Sequence, residues 1–167
     1  SPVVPLPRRV VIASDHAGVE MKRRLREAME ALGISAEDLG TGSGESVDYP
    51  DYAAAVAWRV SAGTADAGVL VCGTGIGMSI AANKVPGVRA ALLYDDTAAR
   101  LSRRHNDANV AVFGGRTMSP DDAARRLRLF LSEPFEAGRH NRRIEKIRGI
   151  EKTIPAGPAP AAQREVP

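Results

Sequence analysis

The chain has 167 residues, 44% hydrophobic and only 4% aromatic, with 23 Lys and Arg against 20 Asp and Glu. That length suits one domain with a core of Val, Leu, Ile and Ala, and no apolar run reaches the ~18 residues of a membrane span. The net charge of +3 comes from basic residues spread along the chain without an aromatic stacking set, which argues against a nucleic-acid partner.

Residues 1–8, beginning Ser1-Pro2-Val3-Val4-Pro5-Leu6-Pro7, read as a flexible N-terminus lacking the basic-then-apolar pattern of a secretory signal. Val10-Val11-Ile12-Ala13 is a β-branched run and the first expected strand, followed by the polar turn Ser14–Gly18. Met21, Leu25, Ala28, Met29 and Leu32 recur at helical spacing until Gly33 caps the helix. A weaker strand is expected over Ser35–Leu39, then a glycine-rich loop, Gly40–Gly44. Asp48-Tyr49-Pro50 starts a helix running towards Ala62. Gly68-Val69-Leu70-Val71 forms a strand ending at Cys72, and a helix from about Gly75 to Asn83 follows the glycine turn. Arg89–Leu93 is the fourth strand, Thr97–Arg104 a helix and Val110–Phe113 the fifth strand.

Ser119-Pro120-Asp121-Asp122 combines a cap, a proline at the first helical position and acids on the helix dipole. Ala123, Ala124, Leu127, Phe130 and Leu131 then make one apolar face. A last basic helix spans about Asn141 to Glu151, and the Pro/Ala-rich residues 153–167 read as a disordered tail.

Strands alternating with helices imply an α/β fold: a three-layer αβα Rossmann-like sandwich with a five-stranded parallel sheet and a C-terminal helix, residues 9–152 forming one domain. Ligands of such sheets bind beyond the carboxyl ends of the strands. Asp15-His16, Cys72–Gly77 and Asp95-Asp96 each follow a predicted strand and should collect there.

Cys72 is the only cysteine, which excludes an intramolecular disulfide and fits a reducing cytoplasm. It opens the turn Gly73-Thr74-Gly75-Ile76-Gly77, whose amides and helix start can hold an anion and favour a thiolate. A proton carrier beside oxyanion donors points to an enzyme, although a structural turn with Cys72 as core filler has the same sequence. A dinucleotide fingerprint fits less well, because Met78 stands where G-x-G-x-x-G requires its third glycine.

His105-Asn106-Asp107-Ala108-Asn109 is either a helix cap or part of a site. His16, His105 and His140 occur in unlike contexts without H-x-x-x-H spacing and do not resemble a metal set. Arg139 and Arg143, four apart, share a helical face if the last helix begins early.

Together these stretches resemble the type B ribose-5-phosphate isomerases, a family that includes galactose-6-phosphate isomerase subunits. The resemblance runs through Ile12–Gly18, Asp48–Asp51, Cys72–Lys84, Ser102–Asn109, Gly114-Gly115-Arg116 and Gly138–Arg143, in order, between about Arg9 and Ile150.

It implies a cytoplasmic aldose–ketose isomerase of the pentose phosphate pathway, acting on D-ribose 5-phosphate and D-ribulose 5-phosphate through a cis-enediolate without metal or cofactor. Other phosphosugars (tetrulose 4-phosphates, allose 6-phosphate, galactose 6-phosphate) and a non-catalytic phosphometabolite-binding role stay open. By the resemblance Cys72 is the base; members lacking it use a glutamate, and Met78 and Ser79 offer no substitute acid. Thr74 assists proton movement, and the amides of Gly73, Gly75 and Gly77 form the anion hole. His105, helped by Asp15, opens the sugar ring, and Asn106 holds a substrate oxygen. His16, Arg116, Arg139 and Arg143 grip the phosphate, with Arg142 as a competing register, and Tyr49 lines the pocket. The pocket is shared in a homodimer, with a tetramer also open: one chain brings the base, its partner His105, Asn106 and an arginine.

Overall fold

The computed structural model describes residues 5–153 and Gly157. The strands are β1 (Val10–Ser14), β2 (Glu37–Asp38), β3 (Ala67–Cys72), β4 (Ala90–Leu92) and β5 (Val110–Gly114). The helices are α1 (Val19–Glu30), α2 (Tyr49–Ser61), α3 (Ile76–Ala82), α4 (Asp96–Arg104), α5 (Pro120–Ser132) and α6 (Arg139–Lys152). Every strand pair is parallel, in the order β2-β1-β3-β5-β4, which is the expected α/β Rossmann-like sheet.

β1, β3 and β5 are buried at every position, because helices cover both faces. Side chains alternate along each strand, so the core divides in two. Val10, Ile12, Val69, Val71 and Phe113 pack against α1 and α5 through Leu25, Met29, Leu127 and Phe130. Val11, Ala13, Leu70, Cys72 and Val112 pack against α2 and α3 through Val56, Ala57, Met78 and Ala82. The chain leaves β1 through α1 on one face and reaches β3 through α2 on the other. β1 and β3 are neighbours, so their carboxyl ends form a topological switch point, where a ligand crevice opens in this class of sheet.

Local signals place the element ends. Gly33 closes α1 with φ +81°, and the Ser119 hydroxyl accepts the Asp122 N–H at 3.1 Å to begin α5. Two expectations are corrected. The second strand shrinks from Ser35–Leu39 to two residues because this polar edge has one neighbour, although the Leu39 N–H still donates to the Ile12 carbonyl at 2.8 Å. The last helix begins at Arg139, two residues early, directly after Gly138 at φ +56°. Lys22 is buried, and its Nζ donates to Asp38 at 2.9 Å and to the Thr41 carbonyl, tying α1 to the loop after β2.

At the N-terminus Leu6 packs partly against the first core. The expectations for residues 1–4, 154–156 and 158–167 fall outside the described residues.

Candidate active site

At the switch point the Asp15 N–H donates to the Val71 carbonyl at 3.1 Å, fixing the residue after β1 beside the end of β3. The Asp15 carboxylate accepts the Ala17 N–H at 3.0 Å and so starts the short 3-10 turn His16–Gly18. His16 Nδ1 accepts the Val47 N–H at 3.2 Å, which leaves Nε2 as the donor of the neutral ring.

β3 ends at Cys72, and the chain reverses through Gly75 at φ +80°. A side chain there would be strained by that angle and would meet Leu92 Cδ1 at 2.5 Å. The Gly75 N–H donates to Cys72 Sγ at 3.2 Å, and the Ile76 N–H to Thr74 Oγ1 at 3.2 Å, so the first amides of the turn converge on the sulfur and the hydroxyl. The loop after β5 closes over the same turn: Gly115 N–H donates to the Cys72 carbonyl and Arg116 N–H to the Gly73 carbonyl, both at 2.8 Å. A Cβ at Gly114 would lie 2.6 Å from the Thr74 carbonyl oxygen, so the two loops meet backbone to backbone. This docking puts Arg116 Nη1 3.4 Å from where a Gly73 Cβ would stand, and the Tyr49 ring lies against Gly77. Asp15, His16, Tyr49, Cys72, Gly73, Thr74, Gly75, Gly77 and Arg116 therefore share one edge.

The thiol is 5% exposed, not open at the mouth of its turn, because Cys72 faces the α2–α3 layer. Asp95 and Asp96 reach the same edge but are otherwise engaged: Asp95 caps α4 by accepting the Ala98 N–H at 2.6 Å, and Asp96 pairs with Arg125 at 3.0 Å.

His105 and Asn106 do not join this group. They follow α4, which carries the chain back to the amino edge of the sheet, where the Asn109 N–H donates to the Arg89 carbonyl. Two arginines hold that turn. Arg89 Nε donates to the Asp107 carbonyl at 2.9 Å, and Arg103 Nη1 to the Asp107 carboxylate at 2.8 Å, which keeps Asp107 at φ +46°. His105 stacks on His140 with ring centroids 4.3 Å apart, and Glu136 lies 3.5 Å from His140 and 3.9 Å from His105. Two of the three histidines thus meet, contrary to the sequence expectation of unrelated contexts, while His16 stays at the carboxyl edge; Glu136-x-x-x-His140 is the spacing that carried the signal. Desolvation, then the charges of His105, Arg139 and Arg143, hold His140 below the ordinary histidine value, against the pull of Glu136. A cavity of about 350 Å³ at this amino edge, bordered by Asp66, Arg89, Arg103, Asp107 and Glu133, contains none of the expected site residues.

Charge pairing sorts the arginines. Arg9, Arg59, Arg104 and Arg125 are each matched to a carboxylate within 3.0 Å. Among the described residues, Arg116, Arg139, Arg142 and Arg143 have no carboxylate within 4.0 Å, and all four are exposed. Exposed guanidinium groups without an acid partner are suited to an anion from outside.

The family model described as Ribose/Galactose Isomerase matches residues 10–147, which is most of the chain and spans both clusters. The chain belongs to that family. Membership makes it an enzyme of the sugar-phosphate isomerase class. It is 41% identical over 145 residues to ribose-5-phosphate isomerase B of Escherichia coli, covering 87% of this chain and 97% of that protein. The crystal structure of a ribose 5-phosphate isomerase from Thermotoga maritima matches with a TM-score of 0.83 at 49% identity, covering 85% of this chain and 98% of that one. Ribose-5-phosphate isomerase B of Mycoplasma genitalium, solved with bound ribulose-5-phosphate, matches with a TM-score of 0.85 at 39% identity, covering 90% of this chain and 100% of that one. Among the described residues no helix is long and apolar enough to cross a membrane.

Proposed function

We propose that this isomerase interconverts D-ribose 5-phosphate and D-ribulose 5-phosphate through a cis-enediolate, with Cys72 as the base. The observation that carries the reading is the Cys72 sulfur, bonded by the Gly75 amide at the switch point, with an acid-free Arg116 beside the adjoining Gly73. The five-carbon preference is supported by the Mycoplasma genitalium relative, which holds ribulose-5-phosphate.

His105, from a second copy of the chain, opens the furanose ring with Asp15 assisting. The Cys72 thiolate removes the C2 proton, and the electron pair moves through C1–C2 to leave negative charge on the carbonyl oxygen. Amides of the Gly73–Gly77 turn and Asn106 of the partner face that charge; an aimed donor of this kind stabilises a transition state by about 2.7–4 kcal/mol. Thr74 carries a proton between the two oxygens, and the thiol returns its proton to C1. The isomerisation is balanced internally, and its steps call on no redox partner or metal. His16 and Arg116 hold the phosphate from one side, Arg139 and Arg143 of the partner from the other.

The homodimer is part of the proposal, because Cys72 and His105 lie at opposite edges of one chain. Purified protein assayed side by side on four-, five- and six-carbon aldose phosphates is expected to favour ribose 5-phosphate. A strong preference for another sugar would displace ribose while leaving the class intact. Cys72→Ala is expected to stop exchange of the C2 proton with heavy water while phosphosugar binding persists; normal exchange in that variant rejects Cys72 as the base.

A further inference from the structure

His105 and His140 come from separate stretches of sequence, yet the fold stacks their rings and sets Glu136 beside both. One ligand atom from each of the three lies within 4.8 Å of the others. Metal–ligand bonds of about 2.0–2.1 Å place two ligands of a tetrahedral zinc ion about 3.3 Å apart. The Glu136–His140 pair, at 3.5 Å, is already close to that spacing. The Glu136–His105 pair, at 3.9 Å, must tighten. Parallel rings cannot both aim a lone pair at one ion, so His105, with a side chain 35% exposed, has to turn out of the stack. Two imidazoles and a carboxylate suit zinc, nickel or copper and not magnesium or calcium. Burial favours the neutral, ligating form of His140, whereas Arg139 and Arg143 repel a cation and limit its affinity.

We propose that His105, Glu136 and His140 form a binding site for a divalent transition metal of the zinc class, and that its occupation inhibits the isomerase by engaging His105. The inhibitory half rests on the role of His105 proposed above; the binding half does not.

The test titrates metal-free full-length protein with cobalt(II) chloride and zinc chloride. A single ion per chain is expected, with a visible cobalt d–d band and no sulfur-to-cobalt charge-transfer band. Zinc should abolish ribose 5-phosphate turnover reversibly with EDTA, and magnesium should not. Glu136→Gln should weaken metal binding by at least about tenfold and shift the zinc inhibition curve by the same factor, with metal-free turnover near wild type. His140→Gln should weaken binding in the same way. Absence of binding, unchanged affinity in both variants, or a charge-transfer band assigning the ion to Cys72 overturns the site. Binding as described with undiminished turnover overturns the inhibition and the role of His105 together, while the site stands. If metal-free protein turns over no phosphosugar, the functional reading fails, and the cobalt band still decides the site.

Discussion

Cys72 ends a strand and His105 follows a helix, so a single chain holds them at opposite edges of its sheet. The five residues of β5 span about 17 Å at ~3.3 Å each, and the nine of α4 about 13.5 Å. A general acid or base must come within about 2.6–3.2 Å of the proton it moves. Ring opening and C2 deprotonation concern neighbouring atoms of one sugar, so under the proposed function the two groups come from different chains. The perturbation is a pair of variants, Cys72→Ala and His105→Asn, each expected to lose turnover by at least about 100-fold alone. In a two-fold dimer the first still supplies His105 and the second still supplies Cys72. Random pairing of equal amounts makes half the dimers mixed, each with one intact pocket of two, so about a quarter of wild-type turnover should return. Mixed dimers isolated through two different affinity tags should show about half. Coupled turnover assays before and after subunit exchange measure this. Mixed dimers as inactive as either parent would refute the shared pocket.

Three further outcomes follow from single contacts. Gly114→Ala would drive a methyl group to 2.6 Å from the Thr74 carbonyl oxygen; thermal unfolding should show a loss of about 1–3 kcal/mol, and kcat should fall well below the transition because the turn is displaced. Arg116→Gln should raise KM for the phosphosugar by roughly 10–100-fold, the equivalent of one charged hydrogen bond, with little change in Tm because Arg116 has no carboxylate partner among the described residues. Lys22→Met leaves Asp38 with Arg26 at 3.5 Å and the Gly40 N–H, and should cost about 1–3 kcal/mol at neutral pH, less than a fully buried pair. Burial pushes the Asp38 carboxyl up, but hydrogen bonds from Lys22 and Gly40 and the charges of Lys22 and Arg26 outweigh it and hold it below its ordinary value. The stability tied to that ionisation is present above the ordinary carboxylate range and is lost as pH falls through the depressed value. Urea unfolding of the Lys22→Met variant should therefore show a flatter decline than wild type below about pH 4.

The parts of this fold legible in the sequence are those written locally. β-Branched runs marked the buried strands, and Ser119-Pro120 and Gly33 marked helix ends, because capping is decided within one turn of chain. The carboxyl-edge cluster was legible too, since strand-then-glycine and strand-then-polar patterns put Cys72 and Asp15 on the same edge of any parallel sheet. Contacts made by tertiary packing were not. Nothing near Lys22 announces that Asp38 and Thr41 will enclose its ammonium group. The His105–His140 stack depends on where α6 begins, which the positive φ of Gly138 decides. The covering of Cys72 follows from strand parity: it shares a face with Leu70 and so points into the α2–α3 layer.

Parallel topology also explains why the site residues divide as they do. Each βα unit leaves at the carboxyl edge and returns at the amino edge, so residues after strands and residues after helices cannot meet without a long loop or a second molecule. At the β4 edge Asn83 accepts the Ala90 N–H at 2.8 Å and donates to its carbonyl at 3.0 Å, so a second copy finds no free backbone groups at Ala90. The proposed dimer would then use contacts between side chains, and the helices carry exposed apolar groups for them. Trp58 on α2, Ile76 and Ile80 on α3, and Tyr94 ahead of α4 are each more than half exposed. Ile76 and Ile80 stand on the helix that follows the Cys72 turn, and the proposed dimer would bury them there as the partner's His105 approaches the carboxyl edge.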